Sequence, residues 1–117
     1  MRLDYDLIRE ILLKVEEIAD GNRGVDTSSF IAVLFPDEDR QRIWYHLKYL
    51  RSARLIEPFY DELMVYDLSP AGHEYLNNIR TDSAWKHVKK EIQPLGSVAL
   101  SVVAELAKKI ALSKLGL

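Results

Sequence analysis

The chain has 117 residues, enough for one domain with a core and too few for several. Hydrophobic residues make up 48% and charged residues 29%, and the formal net charge is −2, so no molecule-wide basic field exists and any nucleic-acid contact must come from a local patch. Cysteine is absent, which excludes disulfides and thiolate chemistry. Acidic residues begin at Asp4, unlike a secretory leader, and no run of about 18 apolar residues occurs; a soluble cytoplasmic protein with no membrane partner is expected.

Taken in order, the first predicted helix runs from Asp4 to Ala19. Tyr5, Leu7, Ile8, Ile11, Leu12, Val15, Ile18 and Ala19 fall on one stripe, and Asp4 is its expected N-cap. "DGNRG", residues 20–24, predicts a turn. A short second helix is expected up to Phe35, capped by Thr27 or Ser28 and stopped by Pro36, with a strand as the competing reading of Phe30–Phe35. Asp37 is the expected cap of a third helix, from about Glu38 to Ala53, with Ile43, His46, Leu47, Leu50 and Ala53 inward. Its outer face is Gln41, Trp44, Tyr45, Lys48 and Ser52, flanked by Arg40 and Arg51 on one side and Arg42 and Tyr49 on the other. A hairpin follows: a strand over Arg54–Phe59, a turn at Tyr60–Glu62, a strand over Leu63–Leu68. Ser69 then caps a fourth helix with Pro70 at its first position. Asp82 is the expected cap of a fifth over Ser83–Ile92, Pro94 and Gly96 break it, and a last helix runs from about Ser97 to Lys114.

Helix, short helix, helix, β-hairpin, helix is the order of a winged helix-turn-helix. "YHLKYLRSARLIEP" resembles the third helix and first wing strand of many bacterial winged-helix regulators, and "VYDLSPAGHEYL" resembles their second wing strand and next helix. More of the chain, in "DYDLIREIL", "YHLKYL", "LSPAGHEYLNNIRTDSAWKHVK" and "KLGL", resembles the domain-of-unknown-function 2513 family of bacteria and their prophages. The resemblance implies an α+β, mostly helical winged helix-turn-helix with a two-stranded wing and additional C-terminal helices, in a phage or prophage setting. It brings no activity. The expected division is a winged-helix part over residues 1–80 and a helical extension over 81–117 packed on it. Such regulators usually carry Gly where the third helix ends and the chain turns left-handed. Here that place is Arg54, so either the turn differs or Arg54 is kept for its charge, at a cost of about 1 kcal/mol if the turn is kept.

The leading functional expectation is a non-enzymatic DNA-binding regulator. Phosphate-bound proteins typically neutralise about 6–10 charges; Arg40, Arg42, Lys48, Arg51 and Arg54 supply part of that in one chain and enough in a dimer. The expected double-stranded DNA contacts are Arg40, Gln41, Arg42, Trp44, Tyr45, Lys48 and Arg51, with Gln41, Arg42, Tyr45 and Lys48 nearest the bases and Arg40 and Arg51 nearer phosphates. Against this stands the wing, where Glu57, Asp61, Glu62 and Asp67 face no Lys or Arg. The alternative is a module that binds a basic host protein through Trp44, Tyr45, Tyr49 and the acidic wing, since Trp, Tyr and Arg are the hot-spot residues of protein interfaces. Trp44 and Tyr49 have a plain reading too, as side chains that pack under the last helices.

His46, His73 and His87 lack ligand partners at helical spacing, so structural roles are expected, with no metal and no cofactor. Gly72 reads as a close-packing position. The last helix has an apolar side of roughly 200°, wider than one core needs. A homodimer interface of Val103, Ala104, Ala107, Ile110 and Ala111 is the expectation drawn from that surplus; a membrane-surface helix and a helix buried in a monomer are the competing readings.

Overall fold

The computed structural model describes residues 1–20 and 24–116. Among them are six α-helices and four two-residue strands in two antiparallel pairs, an α+β protein dominated by helix. Contacts divide the chain into two compact units, Met1–His73 and Glu74–Leu117.

The first unit begins with α1 (Tyr5–Ile18). Asp4 caps it by accepting from the Leu7 N–H, and Leu7, Ile8, Ile11, Leu12 and Val15 are buried, as their spacing predicts. The turn predicted at 20–24 lies mostly on residues 21–23, outside the described residues. β1 (Val25–Asp26) follows, a strand missed by the sequence reading. α2 (Thr27–Leu34) is the expected short helix and not the competing strand, but its cap is Asp26, whose carboxylate accepts from the Ser29 N–H at 3.0 Å. Thr27 is instead fully buried.

α3 (Arg40–Ser52) is likewise capped two residues later than expected, by Asp39 in place of Asp37. Ile43, His46, Leu47 and Leu50 are buried as predicted, while Ala53, expected inward, is exposed at the helix end. Burying each such Leu or Ile contributes about 1.5–3 kcal/mol. The helix ends in a complete left-handed closure. The Leu55 N–H donates to the Leu50 carbonyl at 2.9 Å and the Arg54 N–H to that of Arg51 at 2.9 Å, with Arg54 at φ +61°. The turn is therefore kept without the usual glycine.

The predicted hairpin is corrected. Its first strand shrinks to β2 (Ile56–Glu57), because Pro58 has no N–H to continue a ladder. Its second strand is split around Tyr66 into β3 (Met64–Val65) and β4 (Asp67–Leu68). Only β4 pairs with β2, in the register Ile56 to Leu68; β3 pairs with β1, in the register Val25 to Val65. The segment between Pro58 and Leu63 is thereby a loop pulled towards the start of α2, not the tip of a free two-stranded ribbon.

α4 (Pro70–Ile79) starts as predicted, with the Ser69 hydroxyl accepting from the Gly72 N–H at 3.0 Å and donating to the Arg54 carbonyl at 2.6 Å. Gly72 is a close-approach position: a Cβ there would lie 2.0 Å from the Leu55 carbonyl oxygen. In the second unit, α5 (Asp82–Ile92) is capped by Thr81, one residue before the expected Asp82, and buries Trp85, Val88 and Ile92. A 3₁₀ turn (Gln93–Leu95) leads to α6 (Leu100–Lys114), which packs with α5 and buries Leu100, Val103 and Ala107.

Candidate interaction surface

The basic residues of α3 do not form the continuous outward patch expected of them. Arg40, Gln41 and Lys48 are exposed. Arg42 is held by two carboxylates, in ion pairs with Asp4 and, at 3.2 Å, with Glu38. Trp44, Tyr45 and Tyr49 are half-buried, and the Tyr45 ring meets the His46 ring edge-on at 5.5 Å.

Arg51 is the largest correction. Expected near phosphates, it is only 2% exposed. Its Nη2 donates to the Thr27 hydroxyl at 3.2 Å and to the Met64 carbonyl at 2.8 Å, while Nε and Nη1 are buried without a hydrogen-bond partner. Burial pushes the guanidinium below its usual range, opposed by the charges of Glu62 and Asp61. Its position carried a signal: Arg51 lies four residues after Leu47 and eight after Ile43, on the core stripe by spacing, although its charge argued outward.

Arg54 is exposed but also serves the local structure. Its guanidinium lies over the Phe59 ring at 5.0 Å and the Tyr60 ring at 5.5 Å, and donates to the Tyr60 hydroxyl at 2.6 Å. Of the five cations counted towards DNA, two thus remain exposed without such a tie, Arg40 and Lys48. The exposed acids Asp37, Glu38 and Asp39 stand immediately before Arg40 in the chain.

The loop between β2 and β3 shows the opposite pattern. It is fastened from beneath: the Thr27 hydroxyl donates to the Glu62 carbonyl at 2.7 Å and the Thr27 N–H to the Leu63 carbonyl at 2.9 Å. Arg51 secures the next carbonyl, that of Met64. Asp61 closes the loop on itself by accepting from the Leu63 N–H at 2.9 Å. On the outer side, Tyr60 is 84% and Leu63 65% exposed, beside exposed Asp61 and Glu62. Tyr66, 44% exposed, lies further along the same chain segment. Sequence reasoning named the acids but not Tyr60 or Leu63, which it used only to delimit a turn.

The other candidates are structural. His46 is fully buried; its Nε2 accepts from the Asp4 N–H at 2.9 Å and its Nδ1 donates to the Arg42 carbonyl at 2.8 Å, so it ties α3 to the start of α1. Among the described residues no group of His, Asp and Glu could hold a metal ion, and no helix is long and apolar enough to cross a membrane. Of the dimer surface expected on α6, two residues are already covered within the chain. Val103 and Ala107 are fully buried within the single chain and cannot face a partner, and Ala104, Ile110 and Ala111 are half-buried beside them. The wide apolar side of the helix is mostly taken up by its own chain.

The family model described as "Hypothetical protein (DUF2513)" matches residues 2–99. An uncharacterised protein of Haemophilus influenzae is 35% identical, over 94% of this chain and 95% of its own. No solved structure matches. With most of its length under that model, the chain belongs to the DUF2513 family.

Proposed function

We propose that the chain is a non-enzymatic protein-interaction module on a winged-helix scaffold, and that its β2–β3 loop docks on a basic protein. The element order α1–β1–α2–α3–β2–β3/β4 supports the scaffold, with β1, β3 and the β2/β4 pair in the places of a small winged sheet. The observation that carries the binding reading is the loop itself. It exposes Tyr60 and Leu63 on either side of Asp61 and Glu62 while its backbone is pinned to Thr27 and Arg51. Rigid aromatic anchors lose little conformational entropy on binding, and flanking charges steer a complementary partner.

The same features weigh against DNA reading by α3. An acidic loop repels phosphates, and the burial of Arg51 and the ion pairs of Arg42 reduce the charge available for such contact. Exposed Arg40, Gln41 and Lys48 are what favours the second reading, a DNA-binding regulator using the N-terminal half of α3.

The test is affinity capture from a lysate of the cell that encodes the chain, with the wild-type chain and with the D61N/E62Q and Y60A variants, each checked for fold by circular dichroism. The expected result is a basic protein retained by wild type, released by moderate salt and lost with the variants. No specific capture, or equal capture by all three, overturns the reading.

A further inference from the structure

The two units differ in charge. Residues 1–73 contain nine Lys and Arg against fourteen Asp and Glu; residues 74–117 contain seven against four. The modest overall charge thus hides a basic second unit, and α5 concentrates it. Trp85, Val88 and Ile92 turn inward, while Lys86, Lys89 and Lys90 are exposed. Lys86 stands three and four residues from the other two, so it neighbours each of them on the helix surface. An open groove of about 530 Å³ runs here, lined by Asp82, Ser83, Trp85, Lys86 and Lys89. Asp82 opens the stripe and leaves it with a surplus of two positive charges. Glu91 lies off it, with its carboxylate 3.9 Å from His87.

We propose that this stripe binds the phosphate backbone of duplex nucleic acid, without reading its sequence. Lysine acts as a point charge and is depleted in protein interface cores, where aromatic anchors dominate. No large apolar residue of α5 is exposed to serve as such an anchor. The same lack argues against single strands, which are held by stacking on aromatic rings, and against a bilayer surface, which needs an exposed apolar face on the helix. Lys108, Lys109 and Lys114 of α6 are exposed in the same unit and add to its field. The proposal does not rest on the loop reading: loss of the loop partner and loss of duplex binding are separate results.

The experiment is fluorescence anisotropy of a labelled random duplex of roughly 24 base pairs, titrated with the full chain from about 50 to 200 mM salt. Wild type is expected to bind at micromolar concentration with steep salt dependence. The K86A/K89A/K90A variant should bind about tenfold or more weakly, with a salt slope smaller by about three. The K86R/K89R/K90R variant should keep binding, and R40A/K48A should stay within about twofold of wild type. These are exposed positions, and alanine and arginine are both good helix formers, so folding should survive, as circular dichroism checks. Absence of binding by wild type at low salt, a loss carried by R40A/K48A and not by the lysine variant, or binding to phosphatidylserine vesicles in preference to the duplex would each overturn the proposal.

Discussion

Arg51 and Arg54 show how a charged residue can be spent on folding. Removing Arg51 leaves the Met64 carbonyl without its donor and opens space in the core, so R51A should cost about 2–4 kcal/mol in urea unfolding. R51M keeps most of the stem and removes a buried charge whose desolvation works against folding, so it should cost clearly less than R51A. Equal losses would show that the charge itself holds the loop. Arg54 carries a left-handed strain that only glycine avoids. R54A keeps the strain and loses the two rings; R54G relieves it. The glycine variant should therefore be more stable than the alanine variant by about 1 kcal/mol, and a more stable alanine variant would contradict the geometry. Gly72 is more stringent, because a methyl group there meets the Leu55 backbone and not a movable side chain; G72A should cost about 1–3 kcal/mol or more.

Among the elements, what was legible in the sequence was local. The 3.6-residue spacing of Leu7, Ile8, Ile11 and Val15, and the Ser69–Pro70 start of α4, place those helices without tertiary help. The caps of α2 and α3 were misplaced by one or two residues because both segments hold several good capping side chains in a row, Asp26–Ser29 and Asp37–Asp39, and only the fold selects among them. D26A and D39A should each cost about 1 kcal/mol in thermal or urea unfolding, and D37A nearly nothing; a large loss from D37A would contradict the observed caps. β1 was missed because two residues carry no periodicity, and their pairing with Met64 and Val65 lies far along the chain. That same long-range pairing redirected the predicted hairpin. The candidate loop was legible in its acids. Its anchors were not, because exposure of Tyr60 and Leu63 follows from where Thr27 and Arg51 hold the backbone.

For the whole molecule, a sparse net charge of −2 concealed two oppositely charged units, and an apolar C-terminal helix concealed how much of it its own chain buries. Exposed Val102 shares its side of α6 with Lys109, seven residues on, and exposed Leu112 shares its side with Lys108, four residues before it, so the apolar surface left on the helix is interrupted by charge. Sedimentation equilibrium at micromolar concentration should accordingly give a monomer; a stable dimer abolished by substitutions at Ala104 and Ala111 would restore the interface that the helix pattern first implied. The claim on which the account chiefly rests is that binding resides in the pinned acidic loop and not in the outer face of α3. Its most direct measurement is the affinity of the captured basic partner, purified, for Y60A and for R40A/K48A against wild type. Y60A should weaken binding by about thirtyfold, the loss of a hot-spot anchor, while R40A/K48A stays within about twofold. The reverse pattern, with R40A/K48A abolishing binding and Y60A leaving it intact, would contradict it.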